Sequence, residues 1–371
     1  MKNLFLKHLT IYQFKNYAEA TLNFNEQVVC FTGENGSGKT NLLDAIYYLS
    51  NCKSFFNPVD SQNIMLTADQ CSITGEFERD QHPEQIICTI RKNQRKVFKR
   101  NFKEYERLAE HIGLIPVVIV TPYDIELIWE GSEVRRKFLD ATISALSRKY
   151  LDHLVSYHHA LNQRNNLLKQ FGKQGTYSPE SLEPWDFQLS HLATEIHAER
   201  KKFIHEFTSE FSAVYHMISG EKEMAGIQYE SDLNEETMEN LLAKNSDRDR
   251  VLERTSAGIH RDDLDFTLNG NPLKKFGSQG QQKSFLFALK LAQYLFIRSH
   301  MEINPILMLD DLFDKIDEKR MSHILDWLAK NNVGQVFITD THQRRIPEIL
   351  TGRNLKHEVW EVSSGSVHQI K

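Results

Sequence analysis

No apolar run in the 371 residues reaches the length of a membrane-spanning helix. Lysines at positions 2, 7 and 15 interrupt the start, MKNLFLKHLTIYQFKNY, so neither a signal peptide nor an anchor is expected there. Cysteine is scarce. Cys30, Cys52, Cys71 and Cys88 show no C-x-x-C spacing, which argues against metal binding and for reduced thiols in a cytosolic protein. The 16 histidines include His158-His159 but form no H-E-x-x-H, so a zinc site of that kind is not expected. Net positive charge is missing as well. At a formal charge of −5 the molecule is no polycation, and any contact with nucleic acid must use a local patch or depend on conformation. What remains, 40% hydrophobic and 26% charged, is an ordinary globular composition in a chain long enough for two domains or one large discontinuous one.

Against that plain background one stretch is specific. Gly33 to Thr40 reads GENGSGKT and matches G-x-x-x-x-G-K-[ST] at every fixed position. The β-branched and apolar run Val28 to Thr32 ahead of it predicts a buried strand. Leu42, Leu43, Ile46, Tyr47 and Leu49 after it predict an amphipathic helix. Strand, glycine turn and helix are the setting in which this motif binds phosphate. The backbone N–H groups across Gly33, Glu34, Asn35, Gly36, Ser37 and Gly38 would face phosphate oxygens. Lys39 would add a point charge between the β- and γ-phosphates, and the Thr40 hydroxyl would be a Mg²⁺ ligand. The chain is expected to bind a nucleoside triphosphate.

Around that loop, Leu4-Leu6, Leu9-Ile11-Tyr12 and Ala20-Leu22-Phe24 predict a strand pair about Phe14-Lys15-Asn16-Tyr17. Ser54 to Asn63 reads as a loop, and Ile73 to Phe77 with Gln85 to Arg91 as antiparallel strands. The segment Arg91 to Lys103 is strongly basic. As one continuous strand it would put Lys96, Phe98, Arg100 and Phe102 on one face and Arg95, Val97 and Lys99 on the other. It is either a nucleic-acid contact through Arg95, Lys96, Lys99 and Arg100 or a solvated hairpin whose lysines blunt a sheet edge. Val117 to Val120 predicts another buried strand. Glu133 to Phe171 contains neither glycine nor proline and reads as one helix; Trp185 to Ile218 reads as a second. Joined through Gly172 to Pro184 they form an antiparallel hairpin, each arm on the order of 50 Å at ~1.5 Å per residue. The stripe Phe203, Phe207, Phe211 is expected to be packing; Asn234 to Lys244 reads as an acidic helix and Asn245 to Arg250 as a linker.

Farther along, Ser278 and Gln281 make a capping box at the start of a helix striped by Phe285, Leu289, Ala292 and Phe296. The serine and the flexible Gly280 suit this helix end to an anion. Since the first loop already cradles a triphosphate, a second such end makes sense if it meets the nucleotide of another copy. Pro305 to Leu309 then runs as an apolar strand into Asp310-Asp311. In a phosphate-loop protein Asp310 would hold Mg²⁺ through water, and Asp311 would orient or deprotonate the attacking water. Asp314 to Asp317 follows closely. A last strand, Gln335 to Thr339, leads to Asp340-Thr341-His342, where Thr339, Thr341 and His342 compete as sensor of the γ-phosphate.

Six stretches carry a resemblance that runs nearly end to end: IYQFKNY, GENGSGKTNLLDAI, TPYDIELIWEGSEVRRKFLD, GIHRDDLDFTLNG, FGSQGQQKSFLFALKLA and PILMLDDLFDKID. With them the chain resembles the RecF family, bacterial recombination mediators within the ABC/SMC-type ATPase group. The SQGQQ signature and the double aspartate follow that family's pattern. Ile259 stands where proline is usual before His-Arg-Asp-Asp, and Lys15 where arginine is common; neither touches the Walker residues. The resemblance implies an α/β fold: an ABC-type phosphate-loop ATPase head of mixed β-sheets and helices with an inserted α-helical arm. The head is expected over 1–112 and 251–371 and the arm over 113–250. It implies ATP and Mg²⁺ as cofactors and a weak, DNA-stimulated ATPase used as a conformational switch. Two copies would close head-to-tail, with Ser278, Gly280 and Gln281 of one facing the ATP held by Lys39 of the other. It further implies binding of DNA at gaps and single-strand/duplex junctions. Work with RecR and RecO to load RecA would serve repair, replication restart and the SOS response in the cytoplasm, with no membrane partner.

Three other classes fit less well. An ABC-transporter ATPase would need an LSGGQ-like signature and a membrane-coupling surface, which the insertion from Glu133 to Ile218 suits poorly. An SMC-like tether needs longer helical arms. A small-molecule kinase has no use for the helix end at Ser278.

Overall fold

Apolar residues alternate along Leu4–Phe14, but the parity changes partway: Leu4 and Leu6 point inward, and so do Leu9 and Ile11. A bulge at Lys7 absorbs the extra residue and keeps both pairs on the core face. The buried Gln335 amide bridges the backbone of Leu6 there, accepting from its N–H at 2.7 Å and donating to its carbonyl at 3.0 Å. The strand anchors an antiparallel sheet in the order Tyr17–Asn23, Leu4–Phe14, Gln70–Arg79, His82–Arg91, Val97–Arg100 and Lys103–Glu104.

A second six-stranded sheet runs Ser366–Ile370, His357–Ser363, Val28–Thr32, Val336–Asp340, Ile306–Leu309 and Val117–Val120. It is parallel except at the edge pair made by the two C-terminal strands. Val28–Thr32, Val336–Asp340 and Ile306–Leu309 are buried throughout, as strands covered on both faces must be. One apolar core draws on both sheets and on the helix Lys39–Asn51.

This computed structural model describes residues 2–220, 223–311, 322, 325–329, 331 and 333–370. The chain divides into two units, one of 1–124 with 283–371 and one of 125–282. Both edges lie farther along the chain than the sequence suggested. Val117–Val120, expected in the arm, pairs with Ile306–Leu309 in the first unit; Asp263–Leu268, expected in the head, pairs with Ala225–Glu230 in the second.

The second unit carries the helices Ser132–Leu146, Arg148–Gln174 and Glu183–Ser219 and a small antiparallel sheet of Asn271–Pro272, Asp263–Leu268 and Ala225–Glu230. The single helix expected from Glu133 to Phe171 is two. Ser147 is extended, and its hydroxyl caps the second helix by accepting the Tyr150 N–H at 3.1 Å. The hairpin arms of 27 and 37 residues span about 40 and 55 Å. Phe203, Phe207 and Phe211 are buried packing, with the first two rings stacked at 5.0 Å. The expected linker after Asn245 is instead a helix, Ser246–Leu252. Its charged run misled because Asp249 is buried, paired with the buried Arg164 at 2.7 Å and capping Ser256.

The GIHRDD stretch also proves to be scaffolding for this unit. Arg200, buried, binds Asp262 at 2.6 Å, Asp140 at 2.8 Å and the Ile259 carbonyl at 2.8 Å. The two carboxylates and the carbonyl offset the desolvation of a guanidinium, which could not otherwise be left in the interior. Ile259 is 1% exposed, so an apolar side chain suits that position.

Candidate active site

The central strand Val28–Thr32 delivers the GENGSGKT loop to the end of the parallel sheet. Two glycines there have no substitute. Gly33 has φ +153°, and a Cβ on it would sit 2.2 Å from the Val362 carbonyl oxygen. Gly38 has φ +118°, and a Cβ on it would strike the Asn16 amide at 2.4 Å and the Tyr17 hydroxyl at 2.7 Å. Those two neighbours clamp the loop: Asn16 Nδ2 donates to the Ser37 carbonyl and Tyr17 Oη to that of Gly38, both at 3.0 Å. The turn Phe14 to Tyr17, predicted between two strands, therefore shapes the loop. Lys15 in that turn bonds the buried Asp44 at 2.6 Å, an internal ion pair at the position where the family often carries arginine. Lys39 is buried and folds back, donating to the carbonyls of Gly33 at 2.8 Å and Glu34 at 3.0 Å.

Asp310 follows the strand Ile306–Leu309, and its carboxylate meets the Thr40 hydroxyl at 3.0 and 3.1 Å. Two residues 270 apart in the chain thus share one position. The Thr339 hydroxyl donates to the same carboxylate at 2.8 Å and accepts the Asp311 N–H at 2.8 Å. Burial pushes the Asp310 carboxyl up to about 6, a rise that the hydroxyls of Thr339 and Thr40 counter. Asp311 is half-buried and holds φ +41°, a left-handed backbone that aspartate tolerates better than most residues.

A hydroxyl beside a carboxylate at the C-terminal end of a parallel sheet is the all-oxygen pair a hard divalent cation accepts. The Ser37 hydroxyl, buried in the loop without a hydrogen-bond partner, is a further polar group with capacity for a ligand. The residues present therefore fit Mg²⁺ with a polyphosphate. Among the described residues no cluster of three or more His, Cys, Asp or Glu side chains suits a metal, and no helix is long and apolar enough to cross a membrane. The four cysteines are buried and free.

Ser278, Gly280 and Gln281 belong to the second unit. Ser278 is exposed, and its capping box is formed: Gln281 Oε1 accepts the Ser278 N–H at 2.7 Å, and Ser278 Oγ accepts the Gln281 N–H at 3.3 Å. Gln281 Nε2 donates to Glu223 at 2.7 Å, so the amide is held at both ends and keeps one N–H for a further partner. At the sheet end after Val336–Asp340, His342 is exposed and its main-chain N–H bonds Asp340 at 3.2 Å; Thr341 is half-buried. Asp314 to Asp317 lies outside the described residues.

The basic segment from Arg91 to Lys103 is a hairpin, not one strand. Asn101 and Phe102 have φ of 48° and 68° and form a two-residue turn between Arg100 and Lys103. The turn moves Phe102 off the face of Phe98: Phe98 is 1% exposed and Phe102 76%. Arg100 grips Glu84 with two nitrogens, and Lys96 bonds Asp60 at 3.0 Å. Arg95, exposed, reaches the Glu106 carbonyl at 3.4 Å, and Lys99 is half-buried on Val97–Arg100.

A glycine loop between a central parallel strand and a helix, paired acids at the next strand but one, and a helical insertion together define the head fold of SMC-type ATPases. Comparison with known proteins agrees. The family model described as the RecF/RecN/SMC N terminal domain matches residues 5–351. The DNA replication and repair protein RecF of Flavobacterium johnsoniae is 44% identical over 357 residues, covering 96% of this chain and 99% of its own. The RecF of Parabacteroides distasonis is 43% identical, covering 99% and 100%. A solved structure of the recombination mediator protein RecF with ATP in the RecFOR pathway superposes at TM-score 0.90 with 29% identity, covering 100% of this chain and 98% of its own. An SMC head domain from Pyrococcus furiosus, at 14% identity and TM-score 0.58, shares the fold alone. The chain belongs to the RecF family.

Proposed function

We propose that this protein is an ATP-dependent recombination mediator that pairs with a second copy on ATP and binds DNA at gaps and single-strand/duplex junctions. Gly33, Glu34, Asn35, Gly36, Ser37 and Gly38 line the phosphates, and Lys39 exchanges its bonds to the Gly33 and Glu34 carbonyls for the β- and γ-phosphates. Thr40 directly and Asp310 through water are the residues that would hold Mg²⁺. When bound, the ion would neutralise charge on the phosphate oxygens. Asp311 orients the attacking water and takes its proton. Ser278, Gly280 and Gln281 of one copy complete the site of the other. The ATPase is weak and stimulated by DNA, and hydrolysis releases the pair.

The observation that carries this reading is the convergence of Thr40 and Asp310 on one point beside a strained glycine loop. The exposed capping box at Ser278 supports pairing, because a partner's nucleotide could reach it. We assign the first unit to the ATPase head and the second to the arm together with the strands around it. Of the candidate DNA contacts, Arg95 and Lys99 are expected to contribute more than Lys96 and Arg100, whose charges already face Asp60 and Glu84. The likeness to a RecF structure from the RecFOR pathway supports RecR and RecO as partners. Binding to gapped duplex, measured with a non-hydrolysable ATP analogue and with none, tests the reading. Tight binding only with the analogue is expected; equal binding in both would overturn it.

A further inference from the structure

Thr339 is one of three residues that could sense the γ-phosphate, but its hydroxyl is already committed. It has one proton, which goes to Asp310 Oδ1 at 2.8 Å; the alternative acceptor, Asp311 Oδ1, is 3.5 Å away. Its oxygen takes the Asp311 N–H at 2.8 Å. The side chain is 0% exposed, on a strand hydrogen-bonded both to the loop strand Val28–Thr32 and to the acid strand Ile306–Leu309. The residue beyond it, Asp340, is likewise tied down, by Arg345 and by the His342 N–H.

We propose that Thr339 is a positioning residue that joins the two acids, fixing the Asp310 carboxylate toward Thr40 and pinning the Asp311 backbone in its left-handed conformation. The inference rests on the hydrolytic reading above. It assigns different work to the two ends of one hydroxyl: the proton aims the carboxylate that would face the cation, and the lone pair sets where the Asp311 side chain points. Ligand-bound acids depend on such outer partners, whose loss costs about 10–100-fold in affinity or activity. A left-handed aspartate released from the hydroxyl that holds its N–H would relax toward commoner φ values and carry its carboxylate off line.

The test uses the full chain with Thr339→Val, which keeps the shape and removes the hydroxyl, and Thr339→Ser, which keeps the hydroxyl. Turnover and KM for ATP are measured with DNA present, beside wild type and Lys39→Ala. Expected is a fall in kcat of about tenfold or more in the valine chain. KM should change by less than about threefold and kcat return to within about threefold of wild type in the serine chain. Asp311→Asn combined with Thr339→Val should lose clearly less than the product of the two single losses, because part of the threonine's effect passes through that aspartate. Valine turnover equal to wild type, failure of serine to rescue, or fully multiplicative losses in the double variant would each overturn the proposal. If the valine chain does not fold, Thr339→Cys, close in shape and a weak donor, takes the same test. If wild type does not hydrolyse ATP, or Lys39→Ala hydrolyses it as fast, the hydrolytic reading itself falls and this inference with it. Wild type active, Lys39→Ala inactive and Thr339→Val unimpaired would fault the positioning role alone.

Discussion

His111 makes the protein's acid sensitivity calculable. The ring is 0% exposed, with Nε2 2.6 Å from the Leu49 carbonyl and Nδ1 3.1 Å from the Tyr105 hydroxyl. A carbonyl only accepts, so Nε2 carries the proton and Nδ1 accepts from the phenol, an arrangement that needs the neutral imidazole. Burial pushes the pKa down from 6.5 to about 4. Between those values the unfolded chain binds a proton the folded chain refuses, so stability is complete above pH 6.5 and is lost as the pH falls toward 4. The full loss is about 3 kcal/mol, and ~2 kcal/mol of it is gone by pH 5, at about 1.4 kcal/mol per pH unit. His111→Gln can still donate to Leu49 but cannot titrate. Urea unfolding followed by tryptophan fluorescence at pH 7.5 and pH 5 should show the glutamine chain weaker at the higher pH. It should lose ~2 kcal/mol less than wild type on acidification. Equal losses in both chains would refute the reasoning. His260, bonded to Tyr157 at 2.8 Å and the Thr255 carbonyl at 3.1 Å and likewise pushed down to about 4, places the same liability in the second unit.

Three further outcomes follow from the same contacts. Lys39→Ala should abolish ATP binding measured by titration calorimetry, since it removes the cation buried beneath the loop. Asp311→Asn should bind ATP normally, turn over about 10²-fold or more slowly, and accumulate as a pair on size-exclusion chromatography; normal hydrolysis would discard the base assignment. Arg200→Leu should cost about 3–5 kcal/mol in denaturant unfolding by stranding Asp262, and Asp262→Asn in the same chain should recover part of that loss.

Much of the head could be read from the chain because its signals are local. Val28–Thr32, the loop and the helix stripe are contiguous, and the capping box at Ser278 spans four residues. What escaped depends on distant partners. Nothing near Thr339 in the sequence announces that its hydroxyl joins Asp310 and Asp311, because the three meet only when the parallel strands align. The break at Ser147 went unseen because a serine cap interrupts a helix without glycine or proline. Asp249 looked like part of a solvated charge run until Arg164 buried it. The basic hairpin was misaligned because a turn through Asn101 and Phe102 requires positive φ at a phenylalanine, an uncommon demand.

Completion of each site by a second copy is measured most directly by molecular mass in solution. Light scattering on wild type and Ser278→Arg, with and without ATP, is the comparison to make. Wild type should go from the mass of one 43.3 kDa chain to that of two when ATP is added, and the arginine chain should stay single while still binding the nucleotide. A wild type that remains single with ATP bound, or an arginine chain that pairs as readily, would contradict it.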